Sequence, residues 1–220
     1  MQNNSKTALI LGSSGLVGSE LLQLLVKSDN YVQIHSLVRK PNENHDNKVV
    51  ETVIDFDHLS QYKDLFNVDD VFCCLGTTIK KAGSQSEFKK VDVDYPFEIA
   101  KLAKMMNVQK FSVISSIGAN PNSKIFYSRM KGLMEKQLTE LELNSLNIFR
   151  PSLLLGDRKE YRFGEKFSGF MLKILSFLFI GKLKKYRAIE AKTVAMAMLK
   201  NAQLAKNGVH IFSSETIAKI

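Results

Sequence analysis

The sequence predicts an α/β fold with a doubly wound parallel sheet and a small helical extension toward its C-terminal end. Two observations support this prediction. Short apolar, β-branched segments alternate with helical segments that carry an apolar face, and a glycine-rich turn joins the first strand to the first helix. Such alternation is typical of βαβ units, whose crossover helices cover both faces of a parallel sheet. Because parallel strands all end at one edge, we expect ligand-binding residues in the loops that follow them.

Each predicted strand is a short run of apolar and β-branched residues, and each predicted helix has apolar residues at helical spacing. The strands are predicted at 7–12, 32–38, 49–56, 70–75, 111–115, 146–155 and 209–212. The helices are predicted at 16–26, 85–107, 125–143, 167–180 and 190–199. Two prolines interrupt this pattern. Pro96 predicts a kink or a break in its helix, and Pro151 predicts that the second half of its strand is a loop or an edge.

Length and composition predict one globular domain, residues 1–220, in which 157–207 form the small extension. The 220 residues include 45% hydrophobic and 24% charged side chains, a composition that excludes disorder and a coiled coil. A chain of this length buries roughly 70% of its unfolded surface, so folding requires neither a metal nor a disulfide. The sequence contains no internal repeat and no flexible linker.

Cys73 and Cys74 are adjacent in a predicted strand, so their side chains point to opposite faces and are poorly placed for a mutual disulfide. We interpret both as reduced core residues of a cytoplasmic protein. A nucleophilic role is the weaker alternative, since apolar surroundings raise a thiol pKa. The polar segment 1–7 does not resemble a signal peptide. The four histidines lack metal-ligand spacing, so no metal is predicted.

The net charge of +9 favours an anionic partner: nucleic acid, a membrane surface or a small anion. Two lysine-rich clusters stand out, Lys80-Lys81 and 182–187, but no RNA-binding motif or metal-finger spacing accompanies them. A solvated surface with an anionic small ligand is therefore favoured over nucleic acid. The segment 167–180 is too short to span a bilayer, and its apolar stripe predicts a helix buried in the core or lining a pocket. Peripheral membrane contact through 167–187 and a homo-oligomer interface are the alternatives.

The turn after the first strand predicts a phosphate-binding site. Its sequence is Gly12-Ser13-Ser14-Gly15-Leu16-Val17-Gly18. In such a GxxGxxG turn the first glycine permits the tight turn, the second a close approach to a pyrophosphate, and the third close packing of helix on strand. The anion would face free N–H groups and the positive end of the helix dipole. The strand–turn–helix context predicts a dinucleotide site, with a ligand-free turn as the alternative.

The residues that follow the next three strands predict which dinucleotide binds. Arg39 and Lys40 follow the second strand, where an acidic residue would bond the ribose hydroxyls of NAD. Arginine instead binds a 2′-phosphate through a bidentate contact, so NADPH (NADP+) is predicted, with a solvated basic loop as the alternative. Further cofactor contacts are expected at the adenine from Asp55 and Phe56, and at the diphosphate and ribose from Leu75, Gly76 and Thr77. A loop without cofactor contact is the equal alternative for each of these two segments.

Tyr127 and Lys131 are four residues apart in a predicted helix, so they share one face. An ammonium near a phenol favours the phenolate form, and such a tyrosine can protonate a carbonyl oxygen while hydride arrives at the carbon. Ser115 and Ser116 end the preceding strand, and either hydroxyl could bond the same oxygen. Ser116 is the first candidate of the two. The alternative is an exposed helical pair without a catalytic role.

Together these motifs resemble the short-chain dehydrogenase/reductase superfamily, and more closely its atypical members, the Tat-interacting-protein-type NAD(P)H-binding oxidoreductases. The resemblance begins at Thr7 and covers nearly the whole chain in one order. The matching motifs are CCLGTT at 73–78, KAG at 81–83, VDxDY at 91–95, SSxGAN at 115–120, FYxRxKGxxE at 126–135 and FRPSLLLGDRxExR at 149–162.

This resemblance implies a Rossmann fold and an NADPH-dependent oxidoreductase that transfers hydride to a small carbonyl-type substrate, with Tyr127 as proton donor. It implies that Lys131 holds the nicotinamide ribose, and that 157–207 is a substrate-side extension. The alternative function is an NADPH-binding sensor or protein-interaction module with little catalysis. The resemblance also implies nicotinamide-side contacts from Pro151, Ser152 and Leu153, and a cofactor or substrate contact from Arg158.

Overall fold

A computed structural model describes residues 5–41, 46–156 and 187–220. The predicted helix 167–180, the predicted contact residue Arg158 and the basic residues Lys182, Lys184 and Lys185 lie outside these described residues. Within the described ranges, no helix combines the length and the apolar character that crossing a membrane requires.

Within the described residues, seven parallel strands form the central sheet and two short strands pair separately. In chain order the strands are β1 (Lys6–Leu11), β2 (Tyr31–Val38), β3 (Val49–Val53), β4 (Asp70–Cys73), β5 (Lys110–Ile114), β6 (Ser145–Arg150), β7 (Leu154–Leu155), β8 (Ile189–Glu190) and β9 (Gly208–Ser213). The central order is β3-β2-β1-β4-β5-β6-β9. From β1 the chain adds β2 and β3 on one side of the sheet and then β4, β5 and β6 on the other. The strand order therefore reverses between β1 and β4, and doubly wound sheets bind ligands at such a switch point. The predicted fold class is confirmed.

Helices cover both faces of this sheet. In chain order they are α1 (Leu16–Lys27), α2 (Ile79–Ala82), α3 (Gln85–Lys89), α4 (Tyr95–Met105), α5 (Phe126–Glu140), α6 (Ala191–Ala202) and α7 (Ser214–Ile217), with a 3-10 run at Phe56–Phe66 and a π turn at Lys90–Asp94. Helices α1 and α6 share one apolar cluster, to which they contribute Leu21 and Met198. Helices α4 and α5 share the other cluster through Ile99 and Met134.

The central strands are buried because both of their faces are covered. Leu9 of β1 belongs to the α4–α5 cluster and Ile10 to the α1–α6 cluster, as the alternation of side chains along a strand requires. Both side chains are fully buried, and each such burial contributes about 1.5–3 kcal/mol to stability. This rigid layer fixes the edge at which the strands end.

The two proline positions differ in detail from the sequence prediction. The helix predicted at 85–107 is helical from Gln85 to Met105, and its irregularity is the π turn just before Pro96. Proline lacks an N–H and crowds the preceding turn, and a widened turn is one way to accommodate it. The strand predicted at 146–155 is interrupted at Pro151, as predicted: β6 ends at Arg150, and 151–153 belong to no strand. The pairing of Leu154–Leu155 with Ile189–Glu190 in a second sheet was not predicted.

The described part of the predicted extension packs into the main domain. Helix α6 lies against α1 on the central sheet. Strand β9, which directly follows the predicted extension, pairs with β6 from Ser145↔Gly208 to Arg150↔Ser213. Residues 191–202 therefore contribute to the core on the face of the sheet that α1 covers.

Candidate active site

The glycine turn between β1 and α1 is closed so tightly that side chains are excluded. Gly12 has φ +83°, and a Cβ built there would lie 2.6 Å from the Cys74 carbonyl oxygen. A Cβ built on Gly18 would lie 2.1 Å from the Gly12 carbonyl oxygen. Helix α1 begins after Gly15 with no side-chain cap and no acidic residue in its first turn. Its N-terminus is therefore suited to an anion.

The four other residues of the turn differ in what they offer a ligand. The Ser36 hydroxyl of β2 donates to the Ser13 hydroxyl at 2.8 Å, and both side chains are buried, so this bond anchors the turn to β2. Ser14 is exposed and Leu16 is half-buried, whereas the Val17 side chain packs into the core. Val17 can therefore contact a phosphate through its backbone but not through its side chain.

Arg39 and Lys40 directly follow β2 and are both exposed. Strand β2 is hydrogen-bonded to β1, with Leu11 opposite Leu37. The two cations therefore leave the sheet beside the glycine turn, at the edge where the strands end. Their position is compatible with the predicted 2′-phosphate contact.

The residues after β3 form a small polar cluster. Asp55 caps the 3-10 run by accepting the Asp57 N–H at 2.9 Å, and it lies 2.7 Å from His58 Nδ1. These contacts, the backbone bond first, hold the pKa of Asp55 below its usual value. The Phe56 side chain is buried against Tyr95, with ring centroids 5.4 Å apart, so an adenine would meet the backbone of Phe56.

Asp57 was not predicted as a site residue, yet it joins this cluster to the π turn at Lys90–Asp94 and to the start of α4. It accepts hydrogen bonds from Lys90 and from the Tyr95 hydroxyl, the latter at 2.5 Å. The Lys90 bond, followed by that of Tyr95, lowers the pKa of Asp57. Only the letters DFD after an apolar strand hinted at this position.

The loop after β4 continues the same edge. Leu75 is half-buried against the core, and Gly76 is exposed. The Thr77 N–H donates to Asp92 Oδ2 at 2.7 Å, and the Asp92 side chain is buried. Asp92 lies in the VDxDY motif, but its role was not predicted because its partners come from other elements.

Helix α5 carries Tyr127 and Lys131 on one face, and the two are in contrasting environments. Tyr127 is 42% exposed, and its ring meets Phe88 edge-on at 5.9 Å. Lys131 is buried, 2.8 Å from Asp92 Oδ1 and 3.4 Å from the Ile114 carbonyl oxygen. An accessible phenol thus stands one helical turn from a buried ammonium.

The two candidate serines have different surroundings. The Ser115 hydroxyl donates to Glu135, a buried residue of α5 that also forms a salt bridge with Arg150. The Ser116 hydroxyl is buried and, among the described residues, has no hydrogen-bond partner. The following loop reaches the start of α5, where Asn120 N–H donates to the Ser128 carbonyl at 3.0 Å. This geometry favours Ser116 over Ser115 as the hydroxyl that meets a ligand.

The residues after β6 connect the active-site loop to the end of the chain. The Pro151 carbonyl accepts the Ile117 N–H at 2.9 Å, and the Leu153 carbonyl accepts the Ile189 N–H at 2.9 Å. The Ser152 hydroxyl is buried beside Ser214 Oγ, at 2.9 Å. The backbone at 151–153 thus lies next to the Ser116 loop, whereas the Ser152 side chain is already engaged.

The alternative sites receive little support from the described residues. Burial raises the pKa of the Cys73 thiol to about 11 and also raises that of Cys74, so neither is an activated nucleophile. Both cysteines are free. In the part of the chain that the structure covers, no group of three or more His, Cys, Asp or Glu side chains is arranged to hold a metal.

The switch point, the glycine turn and the free helix N-terminus together define a Rossmann-type dinucleotide-binding protein. Residues 12–170 match the family described as NAD(P)H-binding, and the chain belongs to this NAD(P)H-binding family. The chain is 37% identical over 209 residues to Protein HTATIP2 of Rattus norvegicus, an alignment that covers 91% of this chain and 82% of that protein. The resemblance to the Tat-interacting-protein-type oxidoreductases is therefore confirmed.

Other relatives and solved structures extend this similarity. "Protein FMP52, mitochondrial" of Debaryomyces hansenii is 35% identical over 159 residues, covering 70% of this chain and 69% of that protein. The Bordetella bronchiseptica enzyme WbmH, solved with NAD+, superimposes with a TM-score of 0.72 at 16% identity, over 96% of this chain and 76% of that one. UDP-glucose 4-epimerase of Thermotoga maritima gives 0.70 at 16% identity, over 97% and 80%. At such identities the structures support the fold alone.

Proposed function

We propose that the protein is an NADPH-dependent oxidoreductase that reduces a small carbonyl-type substrate, with Tyr127 as the proton donor. One observation carries the proposal: Tyr127 presents an accessible phenol one helical turn from the buried ammonium of Lys131, and Ser116, just after β5, has a buried hydroxyl with no hydrogen-bond partner among the described residues. The residues also fit a dinucleotide, because the glycine turn leaves no room for a Cβ at Gly12 or Gly18. Carbonyl reduction requires a proton donor and a hydrogen-bond donor to the carbonyl oxygen, roles that the Tyr127 phenol and the Ser116 hydroxyl can fill.

Bound NADPH would supply the hydride that adds to the carbonyl carbon. The Tyr127 hydroxyl then donates its proton to the carbonyl oxygen as the C=O π bond breaks, which gives an alcohol and leaves a phenolate. The Lys131 ammonium stabilises that phenolate, and the Ser116 hydroxyl donates a hydrogen bond to the same oxygen. Because Tyr127 is 42% exposed, it recovers its proton from solvent.

The first experiment is a fluorescence titration of the purified protein with NADPH and, separately, NADH. We expect NADPH to bind at least about ten times more tightly, a difference of about 1.4 kcal/mol. Equal affinities would contradict the choice of NADPH. If neither dinucleotide binds, the oxidoreductase proposal itself fails.

Arg39→Gln should weaken NADPH binding about tenfold or more while leaving NADH binding nearly unchanged, because only NADPH carries the 2′-phosphate that a guanidinium grips bidentately. The measurement is the same titration on both dinucleotides. Lys27→Gln, which removes an exposed cation at the far end of α1, is the matched control and should change neither affinity. A uniform loss for both dinucleotides would mean that Arg39 does not read the 2′-phosphate.

Ser116→Ala and Ser115→Ala should separate turnover from stability. Ser116→Ala should lower kcat about a hundredfold, in line with the loss of one donor to a developing oxyanion, and should leave the melting temperature unchanged. Ser115→Ala should instead destabilise the fold by about 1–3 kcal/mol, since it leaves buried Glu135 with one bond fewer. Steady-state kinetics and thermal melting of both variants test this. The reverse pattern would assign the catalytic hydroxyl to Ser115.

The partners and the location follow from the same proposal. We propose a small-molecule carbonyl substrate and a cytoplasmic location. Nucleic acid and membrane contact through 167–187 are not favoured, and a homo-oligomer is the remaining alternative. Some relatives are named mitochondrial. Cell fractionation tests the location: recovery in the cytosolic fraction supports the proposal, and recovery in the mitochondrial fraction contradicts it. A protein that binds NADPH but turns over no substrate in a broad carbonyl screen would favour the sensor function.

A further inference from the structure

A buried ion pair joins α5 to the π turn before α4. Lys131 Nζ lies 2.8 Å from Asp92 Oδ1, and the two side chains are only 4% and 1% exposed. The other oxygen of this carboxylate, Oδ2, accepts the Thr77 N–H at 2.7 Å. One carboxylate therefore links the lysine of the proposed active site to the loop after β4, along which the cofactor is expected to pass.

A buried ammonium needs a compensating charge, because burial favours the neutral amine. Burial is the largest single effect and lowers the pKa of Lys131, but the raising contributions together exceed it, the charge of Asp92 first among them, and the pKa is raised overall. Tyr127 of α5 and Cys73 of β4 add smaller contributions in the same direction. The Ile114 carbonyl, 3.4 Å away, is a neutral acceptor and supplies no charge.

We propose that Asp92 is a positioning residue, which keeps Lys131 protonated at its place beside Tyr127 and ties it to the loop at Thr77. Asp92 acts through these two partners and needs no contact with the substrate. Its consequence for turnover rests on the function proposed above. Its effect on the charge of Lys131 does not.

The direct test is an NMR titration of protein labelled with 13Cε-lysine, in which the Lys131 signal is assigned by its absence from Lys131→Met. In the unmutated protein we expect this signal to remain that of the ammonium up to about pH 10. In Asp92→Asn it should titrate about two pH units lower or more, because the burial cost is then uncompensated. Identical titrations in the two proteins would overturn the proposal.

Glu135→Gln is the matched control. It neutralises another buried carboxylate, one that accepts from Ser115 and pairs with Arg150, and it should leave the Lys131 signal where it was. If Asp92→Asn does not fold, Asp92→Ser removes the same charge and retains an oxygen acceptor for Thr77. If neither folds, the unmutated protein decides: a Lys131 that loses its proton below about pH 9 contradicts the role of Asp92.

Turnover gives a second readout. The alkaline limb of the pH–rate profile of Asp92→Asn should shift to lower pH by about one unit or more, and in a Lys131→Met background the same substitution should cause no further loss. Asp92 would have only a structural role if the losses of kcat caused by Asp92→Asn and Lys131→Met were additive in the double variant. The same would follow if Asp92→Asn lowered the rate without moving the alkaline limb of the pH–rate profile. Should no dinucleotide bind at all, the proposed function fails, while the NMR titration still tests the role of Asp92.

Discussion

Tyr127→Phe should lower kcat by about a thousandfold or more, while the affinity for NADPH stays nearly unchanged. The substitution removes the proton donor, and general acid catalysis contributes about 10²–10⁴-fold. It retains the ring, which packs edge-on against Phe88, so the fold and the cofactor site should be preserved. Steady-state kinetics with the best carbonyl substrate and a fluorescence titration with NADPH measure the two effects separately.

Tyr31→Phe provides the matched control for this substitution. The Tyr31 hydroxyl is buried at the opposite edge of the sheet, where it donates to Asp70 at 2.5 Å. Its removal should cost about 1–3 kcal/mol of stability, since it leaves a buried carboxylate with one bond fewer, and should leave kcat intact. Undiminished turnover in Tyr127→Phe would refute the proton-donor role, whereas loss of turnover in both variants would indicate a general effect of destabilisation.

Gly18→Ala is the second change with a large expected effect, namely a loss of NADPH affinity of about a hundredfold or more. The new Cβ would lie 2.1 Å from the Gly12 carbonyl oxygen, so the turn must move away from the helix. The helix N-terminus and the turn would then no longer present their N–H groups to one phosphate. NADPH titration measures the loss, and thermal melting shows whether the domain still folds.

Gly208→Ala tests whether a glycine substitution by itself causes such a loss. Gly208 has φ +91° with nothing within 4 Å of its added Cβ. It is the first residue of β9, the outermost strand, and so lies where the strands begin and not where they end beside the glycine turn. We expect a cost of about 1–2 kcal/mol in stability and full NADPH affinity. If Gly18→Ala binds NADPH as tightly as this control, the glycine turn does not hold the phosphates.

The sequence predicted those parts of the fold and site that depend on local spacing. The turn from Gly12 to Gly18 and the shared face of Tyr127 and Lys131 follow from backbone periodicity over a few residues. The alternation of strand-like and helix-like segments predicted the parallel sheet, because each segment is also recognised from the spacing of its own apolar residues. Pro151 indicated an interruption, although not that Leu154–Leu155 would pair with a strand at Ile189–Glu190, because the partner of a short strand is chosen by the whole chain.

The sequence by itself therefore determined the fold class and the glycine turn, and it named Tyr127 and Lys131 as candidates for the proton donor and its partner. Only the tertiary structure decided what surrounds them. It distinguishes Ser116, whose hydroxyl has no partner among the described residues, from Ser115, which donates to Glu135, and it sets Asp92 against Lys131. These contacts join residues far apart in the chain, whose meeting depends on how α5 and the π turn pack on the sheet, and no local pattern encodes that packing.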